Sequence, residues 1–408
     1  MDFNANPRVI TAKIPRRSHG LAVWNGVFAL TVHALEGART VTKIFELGER
    51  ESEMEFVDKT RGYHMDDSYE YNPAAESRPG TQSKKKRRSR AGLFVLVFLI
   101  LMAVGLFVLY SDMKRDLRHG VYRCEDQRMM ELPIEPDQEK ISMAADSIRE
   151  LAQAYPEIRQ YMMLIPSAAC VQSGYIPSGI RIRDQVSDLN GIRQSMPAEL
   201  SWIDLLSVFS QHSGEKLYYA TDIYLTGWGS RYAANTALAG MGAEMTEGKD
   251  VCYLLSDSFR GKLAADGTLL QRILKTKKER LEIYVPESEA PYYRVDDASG
   301  KRFGSLYDSD AVKRENCFDV FFGGERPLTE IWTGAVNGEI LFVIGDREAD
   351  SIVPRFVSSY EKIILIHPSK CTSKIDKLIR KYQPTKILYL YGANSFMQDR
   401  ALLHMIGK

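Results

Sequence analysis

The most regular alternation of apolar and polar positions lies in the last third of the chain. Ile340–Ile344, Lys362–Ile366 and Lys386–Leu390 are short runs rich in β-branched residues and leucine, and each predicts a buried strand. The spacing after them predicts helices over about Asp350–Tyr360, Ser373–Tyr382 and Ser395–Ile406, with Pro384 ending the second. Short strands alternating with helices imply βαβ units and a parallel sheet covered on both faces. Ligands of such sheets sit beyond the carboxyl ends of the strands. That rule selects Asp346–Glu348, His367–Pro368 and Gly392–Asn394 as rim residues.

Upstream, Asp137–Tyr155 predicts an amphipathic helix. Ile141, Ala144, Ala145, Ile148, Leu151, Ala152 and Tyr155 share one face, Asp137 is its cap and Pro156 its stop. Tyr161–Ile165 predicts a buried strand before Pro166, and a helix is expected around Ala198–Gln211. The strand Lys216–Ala220 and a small-residue helix over Trp228–Met241 follow.

A different pattern precedes all of this. Ala91–Tyr110 is twenty residues without a charge and without a polar stripe. As a helix it is ~30 Å long, enough to cross the hydrocarbon core of a bilayer. Lys84, Lys85, Lys86, Arg87, Arg88 and Arg90 stand before it, whereas Lys114, Arg115 and Arg118 after it are diluted by Asp112 and Asp116. The denser positive cluster predicts a single-pass anchor at the cell membrane. The N-terminus is then cytoplasmic and the C-terminal domain extracytoplasmic. Residues 1–90 are expected to be a disordered cytoplasmic tail, with 1–64 an upstream extension before a natural start at Met65. Residues 111–136 read as a juxtamembrane linker and 137–408 as the folded domain.

Composition narrows the function classes. The 54 basic and 53 acidic side chains cancel, so no global field recruits nucleic acid. Cys124, Cys170, Cys252, Cys317 and Cys371 are odd in number and contain no CxxC pair. A zinc site is not indicated, and neither a metal nor an organic cofactor is expected.

Six segments in order resemble the DHHW family, surface proteins related to the alginate O-acetyltransferase and SGNH-hydrolase group. They are Ile165–Ala169, Ser256–Gly261, Ser305–Asp308, Asp319–Gly324, Tyr360–Ile363 and Tyr391–Phe396. The resemblance covers about Ile158–Gly407. It implies a three-layer α/β domain, SGNH-hydrolase-like, with a mostly parallel sheet, here preceded by one transmembrane helix. It also implies a Ser–His–Asp arrangement in which serine attacks an acyl carbonyl and histidine accepts its proton.

The matching positions have changed. The signature Asp-His-His-Trp falls on Asp222-Ile223-Tyr224-Leu225, so tyrosine replaces the base. The serine expected after Ile340–Ile344 falls on Arg347 in Gly345-Asp346-Arg347. Arginine is no nucleophile, and tyrosine with a pKa of ~10 is a poor base near neutrality. Ser351 is the nearest shifted serine, one turn into the expected helix. His367, at a strand end, is the best replacement base, since His119 is juxtamembrane and His212 and His404 lie in helical stretches. Ser256 and Ser258 flank Asp257, but the resemblance makes that segment structural.

The degenerate site is therefore Asp222, Tyr224 and Arg347, with Arg347 expected to pair with Asp222. Asp346, Arg347, His367 and Asn394 are the expected binding residues. The function this favours is a catalytically inactive accessory or binding subunit in cell-surface polysaccharide O-acetylation. Its partners would be the membrane, the polysaccharide and a membrane-bound O-acyltransferase. The alternatives are an active O-acetyltransferase or acetylesterase using shifted residues, and a single-pass transmembrane sensor.

Overall fold

The computed structural model describes residues 90–407 except 119, 244–248, 266–277, 288–291, 297–299 and 314–315. The expected cytoplasmic tail, its upstream extension and His119 lie outside the described residues. A helix runs over Arg90–Arg118, with exposed apolar side chains such as Phe94, Phe98 and Phe107. Its uninterrupted run of described side chains is 94–108. Among the described residues no helix is long and apolar enough to cross a membrane.

The segment read as a linker carries structure. Strands β1 (Val121–Arg123) and β2 (Met129–Glu131) form an antiparallel hairpin. Met129 N donates to Ala220 O at 2.7 Å, which fastens this hairpin to the loop containing Asp222. The helix Gln138–Ala154 follows, capped by Asp137, with the expected apolar face buried.

The main sheet has eight strands. These are β3 (Arg159–Ile165), β4 (Leu200–Trp202), β7 (Tyr292–Asp296), β8 (Arg302–Phe303), β9 (Leu328–Thr333), β10 (Ile340–Gly345), β11 (Lys362–Ile366) and β12 (Lys386–Gly392), in the order β4-β3-β12-β10-β11-β9-β7-β8. From β4 to β11 every pairing is parallel; from β11 through β9 and β7 to β8 every pairing is antiparallel. The sheet is thus mixed, and the expected parallel character holds for the half that carries the site. Its central strands are buried on both faces: Leu341, Val343 and Leu365 pack in one core, and Phe342, Ile344 and Ile364 in the other. Strands β5 (Asp250–Phe259) and β6 (Glu279–Pro286) form a separate two-stranded ribbon.

Several expected elements are corrected. Leu200–Trp202 is the strand beside β3, and the helix begins only at Leu205, where Asp204 accepts from Ser207 N. Lys216–Ala220 forms no strand beyond a Tyr218–Leu225 bridge, because the Ala220 and Thr221 amides bond the Glu279 carboxylate instead. Asp350–Tyr360 is not an α-helix: the 3₁₀ turn Arg347–Ser351 ends within it, and a second, Val353–Phe356, follows. Pro354 lacks the N–H that a continuous helix needs there. The last helix is split into Ala393–Gln398 and Ala401–Ile406.

Candidate functional site

Parallel pairing sets Gly345 beside Leu390 and Gly392 beside Ile165, so the loops after β3, β10 and β12 emerge together. Asp346 organises that rim. Its carboxylate accepts from Glu348 N, capping the first 3₁₀ turn, and from Gly392 N, each at 3.0 Å. Burial nevertheless raises its pKa to about 6, the hydrogen bonds offsetting only part of the desolvation. An added Cβ at Gly392 would meet the Glu348 carboxyl, which would have to shift to admit it. Burial also pushes the Glu348 carboxyl well above its usual range, reinforced by the charges of Asp346, Glu131 and Asp222.

Asn394 is saturated. Its Nδ2 donates to Glu131 Oε2 at 2.8 Å and Leu132 O at 2.9 Å, and its Oδ1 accepts from Gln185 Nε2 at 2.8 Å. It clasps the β1–β2 hairpin to the end of β12. Between these groups lies a narrow opening to solvent lined by Glu131, Ser167, Ile223, Glu348 and Asn394 among others.

The Asp222 loop is held from below. Buried Glu279 accepts from Ala220 N at 2.9 Å and from Thr221 N at 2.8 Å, and Thr221 Oγ1 adds a bond to it at 2.7 Å. Asp222, 4% exposed, accepts from Ile223 N at 2.7 Å and Lys262 N at 2.9 Å. Burial raises its pKa to about 6 against these bonds.

Arg347 does not meet Asp222 as expected. Its guanidinium bonds Asp319, while both Asp222 oxygens are engaged by backbone amides. Tyr224 is buried beside this pair, its ring 4.1 Å from that of Phe318. Phe259, Phe321 and Tyr219 extend the aromatic cluster around Phe318. Burial raises the Tyr224 hydroxyl pKa, with the Arg347 charge opposing, so it stays protonated.

His367 does not line the cleft. It is 2% exposed, with Nε2 3.0 Å from Asp350 Oδ1 and Nδ1 3.9 Å from Glu325 Oε1. Burial lowers its pKa, but the Asp350 carboxylate outweighs that and the net shift is upward. Both Asp350 oxygens otherwise lack a hydrogen-bond partner, and the His367 ring is the polar group set against them. Ser351 is buried, accepting from Ser230 Oγ at 2.9 Å, with no histidine against it.

The structure thus brings Tyr224 and Arg347 together, leaves Asp222 and Asp346 as bonded loop anchors, and removes His367 and Asn394 from free binding. Sequence reasoning missed Asp319 as the arginine's partner, although it opens a family-like segment. It also missed Glu131, which lay in the presumed linker.

What results is an α/β domain with a candidate site at the carboxyl ends of a parallel half-sheet, and Arg347 opens the turn that follows β10 there. The same fold occurs in a DHHW family protein from Eubacterium siraeum. That protein is 18% identical, with a TM-score of 0.58, over 68% of this chain and 91% of that one. It occurs too in Bacillus cereus PatB1, also 18% identical, with a TM-score of 0.57, over 69% of this chain and 98% of PatB1. A second PatB1 structure, with a sulfonyl adduct, matches to the same TM-score. The DHHW resemblance read from the six segments is thereby matched by the structural neighbours. No protein-family model and no curated protein sequence matches the chain.

Proposed function

We propose that this chain is a membrane-anchored, non-catalytic SGNH-like domain serving as an accessory or binding subunit in O-acetylation of cell-surface polysaccharide. The observation that carries the non-catalytic reading is Arg347. It stands at the end of β10, where the DHHW resemblance puts the serine, and its guanidinium is committed to Asp319. A group that is always protonated cannot attack an acyl carbon. Tyr224 occupies the position of the base, packed against Phe318 instead of a nucleophile.

The acetylation context is supported by the fold shared with DHHW-type proteins and by the resemblance itself. A membrane-bound O-acyltransferase is the partner that resemblance implies. The anchor at Ala91–Tyr110 rests on its length, its apolar composition and the basic cluster before it. The Glu131 and Glu348 carboxyls and the Ser167 hydroxyl at the narrow opening are groups that can hydrogen-bond a sugar hydroxyl at its mouth.

One observation favours the alternative of an active O-acetyltransferase or acetylesterase. Asp350 beside His367 is the arrangement of a general base and its orienting acid. Burial of that imidazole, away from the cleft lining, weighs against it.

Full-length protein treated with a fluorophosphonate probe should take no label, and acetylated chromogenic esters should turn over at the buffer rate. Deleting the gene should lower polysaccharide acetate, and a folded Arg347→Ala chain should restore it. Probe labelling of a serine, or turnover abolished by His367→Ala, would establish the enzyme reading instead.

A further inference from the structure

His367 and Asp350 are buried titratable groups that the proposed role does not use. The ring places Nε2 3.0 Å from Asp350 Oδ1 and turns Nδ1 to Glu325 Oε1 at 3.9 Å. Glu325 is the way to solvent: its carboxylate is 22% exposed, accepts from Ser369 Oγ at 3.4 Å and has Lys370 Nζ at 3.7 Å. The charged groups facing the ring are thus Asp350 from the turn after β10, Glu325 from the loop before β9 and Asp346 from the end of β10. Burial weakens the ring's hold on a proton, and these three carboxylates strengthen it by more. Loss of the proton leaves a net negative charge on two groups that water barely reaches.

Arg347 is a cation that can answer that charge. It opens the 3₁₀ turn that contains Asp350, three residues earlier, and in a 3₁₀ helix side chains at that spacing lie one above the other. Its Nε is buried and has no acceptor among the described residues, and both Asp350 oxygens are buried with only the His367 ring against them. The two already sense each other. Burial lowers the Arg347 pKa, and the bond to Asp319 with the charges of Tyr224, Asp350 and Asp319 outweighs that.

We infer that Arg347 is shared between two carboxylates, Asp319 and Asp350, and that the proton on the His367–Asp350 pair decides which one holds it. With the proton bound, Asp350 is neutralised by the ring and Arg347 stays on Asp319, the arrangement in the structure. When the proton leaves to water past Glu325, Asp350 draws the guanidinium. With Arg347 bonded to Asp319 its Nε reaches neither Asp350 oxygen, so the rigid planar fork has to turn to engage them. Turning takes it off Asp319. The candidate site then shows a bare carboxylate where it showed an ion pair. Because the folded pair holds its proton above the ordinary imidazole pKa of ~6.5, the exchange falls on the alkaline side of that value.

The test uses the full-length chain in detergent micelles, unfolded by urea and followed by tryptophan fluorescence. At pH 6 the Arg347→Ala/Asp319→Asn cycle should show a coupling of about fivefold in the unfolding constant, and Arg347→Ala/Asp350→Asn less than about twofold. At pH 9 the two results should exchange. Other groups that titrate between these values are common to every corner of a cycle and cancel. In His367→Gln, which has no such proton to lose, neither coupling should change with pH. A second readout needs no variant of the buried pair to fold. In protein labelled with ¹⁵N at arginine, the side-chain N–H signal that Arg347→Lys removes should shift as pH passes the His367 titration. Couplings equal at pH 6 and pH 9, a change that persists in His367→Gln, or an Arg347 signal that does not titrate would overturn the exchange.

Discussion

Arg347 and Asp319 form an ion pair between the end of β10 and the 3₁₀ turn Cys317–Val320, two segments 28 residues apart. The guanidinium is 17% exposed and the carboxylate 22%. Arg347 therefore takes its carboxylate from the Cys317–Val320 turn, and Asp222 is left to its backbone amides.

A double-mutant cycle tests this pairing. Arg347→Ala and Asp319→Asn should each lower stability by about 1–2 kcal/mol and couple by roughly 1 kcal/mol in thermal unfolding. Arg347→Ala combined with Asp222→Asn should be additive. Coupling to Asp222 instead of Asp319 would contradict the arrangement.

Acidity should stabilise this domain from neutrality down to about pH 5. His367 has a raised folded pKa, so its contribution is fully present below its unfolded pKa and is lost as pH rises through the folded one. Asp222 and Asp346, raised to about 6, bind protons more tightly folded than unfolded. Each therefore adds stability as pH falls from about 6 toward the ordinary aspartate value, on the order of 1–3 kcal/mol. Denaturant midpoints measured from pH 5 to 8 should fall with rising pH. His367→Gln should flatten the upper part of that slope and Asp346→Asn the lower part.

Gly261→Ala should destabilise strongly. An added Cβ would lie 2.5 Å from Thr221 O and run into the Asp222 side chain, neither of which can retreat while Glu279 holds the loop. A loss of about 3 kcal/mol or more is expected by chemical denaturation. A midpoint within ~0.5 kcal/mol of wild type would show that the loop yields.

Topology is checked in spheroplasts. Protease added outside should degrade the chain after Asp112 and spare an N-terminal tag. Degradation of the tag with protection of the domain would reverse the orientation expected from Lys84–Arg90.

The sequence alone determined the elements whose signal is local. β10, β11 and β12 are written as consecutive apolar residues, and Asp137 announces the helix it caps. Which side chains stand at the positions the DHHW resemblance aligns with its serine and base was also legible, because Arg347 and Tyr224 are identities and need no geometry. Only the tertiary structure decided who partners whom. Leu200–Trp202 became a strand because β3 lay open beside it, and His367 lies inward against the buried Asp350. Asp319 met Arg347 because Phe318 of the Cys317–Val320 turn packs on Tyr224, which carries that turn to the arginine. Backbone periodicity depends on neighbours along the chain. The partner of a buried charge depends on which distant segments the sheet brings into contact, and no run of consecutive residues records that.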